Sequence, residues 1–132
     1  MELKVGDTFT VNKEVTDELI RQFAEISGDH NPLHLDEEFA KNTRFGKRIA
    51  HGMLTSSFIS AVLGYKLSVR KVVYLGQTLK FKHPTFIGDV VTAKAVVKHI
   101  RGDKPVVKIE TTCENQDGVL LVEGEATIML LD

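Results

Sequence analysis

The stretch His51-Gly52-Met53-Leu54-Thr55-Ser56-Ser57-Phe58-Ile59-Ser60-Ala61-Val62-Leu63-Gly64-Tyr65-Lys66 is almost wholly apolar or small. Its larger apolar residues, among them Met53, Leu54, Phe58, Ile59, Val62 and Leu63, fall around every side of a helix, which predicts a helix buried on all faces. Gly52 begins it, and Ser56, Ser60 and Leu63 share its face. A glycine there lets a ligand approach the free N–H groups of the first turn, at the positive end of the helix dipole. It also allows tight helix packing, with the serines bonding carbonyls within the helix, and the residue types alone favour that second use.

Downstream of this helix the pattern changes from helical to alternating. Residues 72–82 set Val73, Leu75, Leu79 and Phe81 against Tyr74, Thr78, Lys80 and Lys82, with Gly76 at a bulge or close approach. Residues 90–98 direct Val91, Ala93, Ala95 and Val97 to one side, and residues 106–114 do the same with Val107, Ile109, Thr111 and Cys113. Residues 119–131 place Leu120, Val122, Ala126, Ile128 and Leu130 together. Turn signals at 84–88, 102–105 and 115–118 separate these runs, so antiparallel neighbours are expected.

Upstream, residues 8–14 read as an edge strand, and Thr16 caps a helix over 17–27 with Leu19, Ile20, Phe23 and Ile26 as its apolar stripe. Gly28 ends that helix. A short helix through Glu37 to Ala40 follows, then an irregular basic stretch containing Lys41, Arg44, Lys47 and Arg48, which reads as a solvated loop. One buried helix and several long antiparallel strands are both satisfied only if the sheet curls around the helix. The expectation is therefore an α+β fold, a curled antiparallel sheet wrapped around one long central helix, as a single domain over 1–132. Such a sheet keeps an open edge, which a second subunit is expected to cover in a homodimer or higher homo-oligomer.

Composition narrows the function classes. A chain of 132 residues buries roughly two-thirds of the surface its unfolded form exposes, enough for a real core. The 17 basic residues are scattered rather than gathered in a stripe, and the formal net charge is −1, which argues against a nucleic-acid partner. No apolar run approaches ~18 residues, and Met1-Glu2-Leu3-Lys4 holds no hydrophobic signal region, so no membrane partner and a cytoplasmic location are expected. Cys113 is the sole cysteine and reads as a small core residue. His30 and His34 are four residues apart, but Pro32 lies between them in a stretch that reads as a loop rather than a helix, so no metal is expected.

Residues 28–34, Gly28-Asp29-His30-Asn31-Pro32-Leu33-His34, are polar groups and backbone breakers, which read as a fixed loop after the helix. A bent Asn-Pro loop can fold Asp29 and His34 towards one point. An Asp and a His meeting at one water form an acid/base pair, and histidine's ordinary pKa near 6.5 suits proton transfer in both directions. On residue types alone, Asp29 as a turn cap and His34 as a half-buried histidine account for the pattern equally well.

The run Phe23 to His34, with Ala40 beyond it, resembles the hydratase motif of the MaoC-like (R)-specific enoyl-CoA hydratases. The resemblance continues at Ile49-Ala50-His51-Gly52-Met53-Leu54, at Tyr74-Leu75-Gly76-Gln77 and at Pro84-Thr85-Phe86-Ile87-Gly88-Asp89, and so spans nearly the whole chain. It implies the hot-dog fold, dimers in which two sheets join, and reversible addition of water to a trans-2-enoyl-CoA to give an (R)-3-hydroxyacyl-CoA. Asp29 and His34 match the family's acid/base pair. Gly52 matches the glycine whose backbone N–H stabilises the thioester oxyanion. Coenzyme A enters only as part of the substrate, with no metal or redox cofactor.

Around that pair, Asn31 is expected to support the loop or touch substrate, Ser60 to hold Asp29 or bond a carbonyl one turn back in its helix, and Leu63 to stand near the far end of an acyl pocket or pack as ordinary core. His51 is expected to be a structural histidine at the helix start and His30 a bystander. Two other readings use the same fold: a thioesterase, whose water is aimed at the thioester carbonyl, and a non-catalytic acyl-CoA-binding partner subunit of a hetero-oligomeric dehydratase. The intact Asp29 and His34 favour the hydratase.

Overall fold

Strand β1 (Thr8–Glu14) forms one edge of a six-stranded sheet in the computed structural model, which describes residues 3–131. Three short helices follow: α1 (Asp17–Ser27), α2 (Pro32–Leu35) and α3 (Glu37–Lys41). Thr16 starts α1 as expected, its hydroxyl accepting the Leu19 N–H at 3.1 Å. Gly28 stops it at φ 82°, a left-handed conformation that a Cβ would strain. The expected loop over 28–34 contains helix α2, because Asn31 accepts the Leu33 N–H and Pro32 already has helical φ at the first position. Ile26, expected in the apolar stripe of α1, is 84% exposed.

The central helix α4 (Gly52–Ala61) continues as a π-helical segment, Val62–Lys66. Strands β2 (Val72–Gln77), β3 (Lys80–Phe81), β4 (Val90–Ile100), β5 (Val106–Glu114) and β6 (Leu120–Leu130) complete an antiparallel sheet in the order β1-β4-β5-β6-β2, with β3 also on β6. The alternation of β4 and β5 is realised residue for residue: Val91, Ala93, Ala95 and Val97, then Val107, Ile109, Thr111 and Cys113, are buried. With Ala126 and Ile128 of β6 they enclose Leu54, Phe58, Ile59, Val62 and Leu63. This is the hot-dog architecture expected. Burial raises the Cys113 thiol to about 12, so it stays protonated and inert.

Three expectations are corrected. The helix is not buried on every face: Met53, Ser57, Ser60, Ala61 and Tyr65 are exposed, because the sheet curls around one side only. Residues 72–82 are two strands, with Val73, Leu75 and Phe81 exposed rather than inside. Register slips between Tyr74 and Gly76, the bulge expected at Gly76, and the chain then crosses tightly over β6. At the crossing, a Cβ on Gly124 would lie 1.8 Å from the Thr78 carbonyl oxygen, so only glycine fits beneath it. In β6 a slip beside Leu120 buries both Leu121 and Val122. No helix among the described residues is long and apolar enough to cross a membrane.

Leu63 is 2% exposed and packs within this core. Leu63→Ala is expected to cost about 2–5 kcal/mol of stability, read as a fall in the denaturation midpoint by urea titration. A loss below about 1 kcal/mol would mean that the site collapses freely or was never packed.

Candidate active site

Asp29, in the turn after α1, and His34, in α2, converge at the N-terminus of α4. One carboxylate oxygen of Asp29 and one ring nitrogen each of His34 and His51 lie within 4.8 Å of one another. The local sequence makes this turn. Asp29 Oδ1 accepts the Asn31 N–H at 3.1 Å, and the Asn31 carbonyl accepts the His34 N–H at 3.0 Å. Asn31 thus supports the loop from both sides, and it does not line the adjoining cavity.

The hydrogen bonds fix the His34 tautomer. Its Nδ1 lies 2.8 Å from the Ile49 carbonyl oxygen, and a carbonyl can only accept, so Nδ1 carries the proton. In the neutral ring, Nε2 is then the free lone pair. The exposed Asp29 carboxylate has an oxygen within 4.8 Å of a ring nitrogen of His34. A water between these groups meets two acceptors, the arrangement that general acid/base chemistry needs.

A cavity of about 390 Å³ opens onto this pair, and its wall includes Gly52, Met53, Phe81 and Lys82. His51 precedes Gly52 at the helix cap with no side-chain capping bond, and the first N–H groups of a helix have no intrahelical acceptor. Gly52 and Met53, the first residues of α4, both line the cavity. Phe81 covers Gly52 so closely that a Cβ there would sit 2.8 Å from two ring carbons.

His51 is 2% exposed and stacks on His34 with ring centroids 3.9 Å apart and planes 29° apart. Its Nε2 donates to the Asp29 carbonyl at 2.9 Å, and burial holds its pKa below the ordinary histidine value. Arg48, expected in a solvated loop, is buried instead: its Nε donates to the His34 carbonyl at 2.7 Å and its guanidinium pairs with Asp17 at 2.6 Å. The Arg48 bond to Asp17, with a further one from Arg21, holds the Asp17 carboxyl below the usual range. The compensating carboxylate lies on α1, far away in sequence, and so no local signal marks Arg48 as an interior residue.

The remaining residues expected at the site are spread more widely. Ser60 is exposed on the open face of α4, and no hydrogen bond joins it to Asp29 among the described residues. Ser56 is the buried serine of that helix, donating to the Gly52 carbonyl at 2.9 Å. Leu63 belongs to the core and is absent from the cavity wall. His30 points outward to Glu25 at 2.9 Å, which raises its pKa. Phe81 was not anticipated, since its contact with Gly52 arises only when β3 folds over the helix start.

A hot-dog sheet carrying an Asp/His pair at the N-terminus of its central helix is the framework of a hydro-lyase. The chain belongs to the MaoC-like dehydratase family, whose domain model matches residues 4–118. It is 44% identical over 128 residues to an (R)-specific enoyl-CoA hydratase of Aeromonas caviae, covering 97% of this chain and 96% of that protein. It is also 44% identical over 127 residues to a 3-hydroxybutyryl-CoA dehydratase of Methylorubrum extorquens, covering 96% and 80%. The solved (R)-hydratase from A. caviae involved in PHA biosynthesis superposes with a TM-score of 0.94 at 43% identity, covering 98% of both chains.

Proposed function

We propose that this chain is an (R)-specific enoyl-CoA hydratase, adding water reversibly to trans-2-enoyl-CoA to give (R)-3-hydroxyacyl-CoA. The observation that carries the reading is the tautomer of His34: with Nδ1–H held by the Ile49 carbonyl, Nε2 keeps its lone pair, and a carboxylate oxygen of Asp29 lies within 4.8 Å of a ring nitrogen of this histidine. Water bound between them loses a proton to the pair as its oxygen bonds to C3. The electrons of the C2–C3 double bond move towards the thioester oxygen, where the N–H groups at Gly52 stabilise the charge, and C2 then takes a proton from the pair. The two groups act as one titrating unit.

This chemistry needs no metal. Although Asp29, His34 and His51 approach within 4.8 Å, the two rings are stacked with centroids 3.9 Å and planes 29° apart, so their in-plane lone pairs lie in separate, nearly parallel planes, a poor arrangement for sharing one ion. Loss of the enoyl-thioester absorbance on adding crotonyl-CoA, with chiral analysis of the product, tests the reading. Hydrolysis to free CoA without hydration would favour the thioesterase, and binding without turnover the non-catalytic subunit.

The working form is a homodimer. Tyr74 and Leu75 on the edge strand β2, with Met53 and Ser57 on α4, line an apolar groove of about 560 Å³, and Ser60 lies on the same open helix face. A second copy applying the same surface would close the sheet edge and cover the helix. Sedimentation equilibrium is expected to give at least twice the chain mass. A monomer with full activity would remove this assembly.

A further inference from the structure

The segment that leads into Gly52 is bonded to the catalytic turn at every residue but one. Arg48 Nε donates to the His34 carbonyl at 2.7 Å. The Ile49 N–H donates to the Leu33 carbonyl at 3.4 Å, while the Ile49 carbonyl accepts His34 Nδ1 at 2.8 Å. His51 Nε2 donates to the Asp29 carbonyl at 2.9 Å. Ala50 faces the other way, its N–H bonded to the Thr85 carbonyl at 2.7 Å, and Ile49 bridges to Phe86. The carbonyl of each member of the acid/base pair is thus held by a buried basic side chain from one short run of chain, itself anchored to the 85–86 loop.

Stability alone does not account for these side chains. His51 Nδ1 is buried with no partner among the described residues, and an unpaired buried polar atom is a cost that an apolar ring would avoid. Arg48 brings a cation to a position 7% exposed, whereas an aliphatic residue of similar volume would fill the space without desolvating a charge. Neither bond needs a titrating group. What each supplies is a directed N–H to a backbone oxygen that no neighbouring amide reaches.

We infer that residues 48–51 form a positioning strap, in which Arg48 fixes the His34 backbone and His51 the Asp29 backbone relative to Gly52. The strap connects the acid/base pair to the oxyanion donor through a continuous run of chain. It therefore sets the distance between the water and the thioester oxygen. The inference rests on the reading of Asp29 and His34 as the acid/base pair.

The test is crotonyl-CoA hydration by folded variants, with kcat and KM measured separately and folding followed by circular dichroism. His51→Gln keeps an N–H where the Nε2 donor stood and loses the ring; His51→Phe keeps a ring and loses the donor. The Gln variant is expected to stay within about fivefold of the parent in kcat, whereas the Phe variant loses roughly 100-fold with little change in KM, the effect of a displacement of about 1 Å. Arg48→Met is expected to lose kcat similarly, and Arg48→Lys, which can still donate to the His34 carbonyl, to recover part of it.

Equal kcat in the two His51 variants, or an Arg48→Met protein of parental kcat, would overturn the strap. If Arg48→Met does not fold, Arg48→Lys and the His51 pair still decide. Asp29→Asn assayed beside them separates the two levels: an active Asp29→Asn sinks the acid/base reading, whereas an inactive one with unaltered strap variants sinks only the strap.

Discussion

Asp29→Asn and His34→Ala are each expected to lower the rate of crotonyl-CoA hydration by roughly 10²- to 10⁴-fold, the loss that follows when a positioned acid/base group is removed. Asp29→Asn preserves shape, and the remaining amide oxygen can still accept the Asn31 N–H that Oδ1 now holds at 3.1 Å. The turn should therefore persist while the anionic acceptor for water disappears. His34→Ala also strips the Ile49 carbonyl of its partner, so a second substitution isolates the chemistry. His34→Asn retains an N–H near the Nδ1 position but has nothing at Nε2, and it should be as inactive as His34→Ala with a higher melting temperature. Because both residues act on one water, the double variant should be little worse than either single one. Retention of more than about a hundredth of the activity in either single variant would count against the pair.

The second large effect is at Gly52. A methyl group there would stand 2.8 Å from the Phe81 ring and would also occupy the approach to the N–H groups at the start of α4. Gly52→Ala is expected to lose roughly 10²- to 10³-fold in kcat, the scale of a lost oxyanion donor. The two uses of this glycine, packing and catalysis, separate when Phe81 is trimmed as well. In Gly52→Ala/Phe81→Ala the clash is relieved, so the melting temperature should return towards that of Phe81→Ala. Activity should not return, since the methyl still shields the donors from a thioester oxygen. Recovery of activity together with stability would make Gly52 a packing residue and remove it from the reaction.

These two experiments bear on groups of different visibility. The convergence of Asp29 and His34 was legible because a polar, broken stretch interrupts an otherwise apolar pattern, and a bent Asn-Pro turn brings both side chains towards one point. The role of Ile49 was invisible, because it acts through its carbonyl oxygen, which every residue possesses. Arg48 was misread for a related reason: an arginine in a basic loop is ordinarily solvated, and only the arrival of Asp17 from α1 makes its burial tolerable. Phe81 was assigned to an inward face by alternation. The crossing at Thr78 and Gly124 displaces β3, leaving Phe81 55% exposed and over the helix start.

By itself, the sequence determined the elements that depend on short-range physics. Thr16 and Gly28 delimit α1, the alternation of β4 and β5 selects their inner faces, and the apolar run from Gly52 makes the central helix, because capping, φ preference and side-chain periodicity act over a few residues. The tertiary structure decided what depends on contact between distant segments: which face of α4 stays open, which tautomer His34 adopts, and which side chains hold Asp29 and His34. A hydrogen bond from Arg48 to a backbone oxygen or the stacking of His51 on His34 has no signature in residue order, since its partner is fixed only when the turn after α1 and the approach to α4 meet in space.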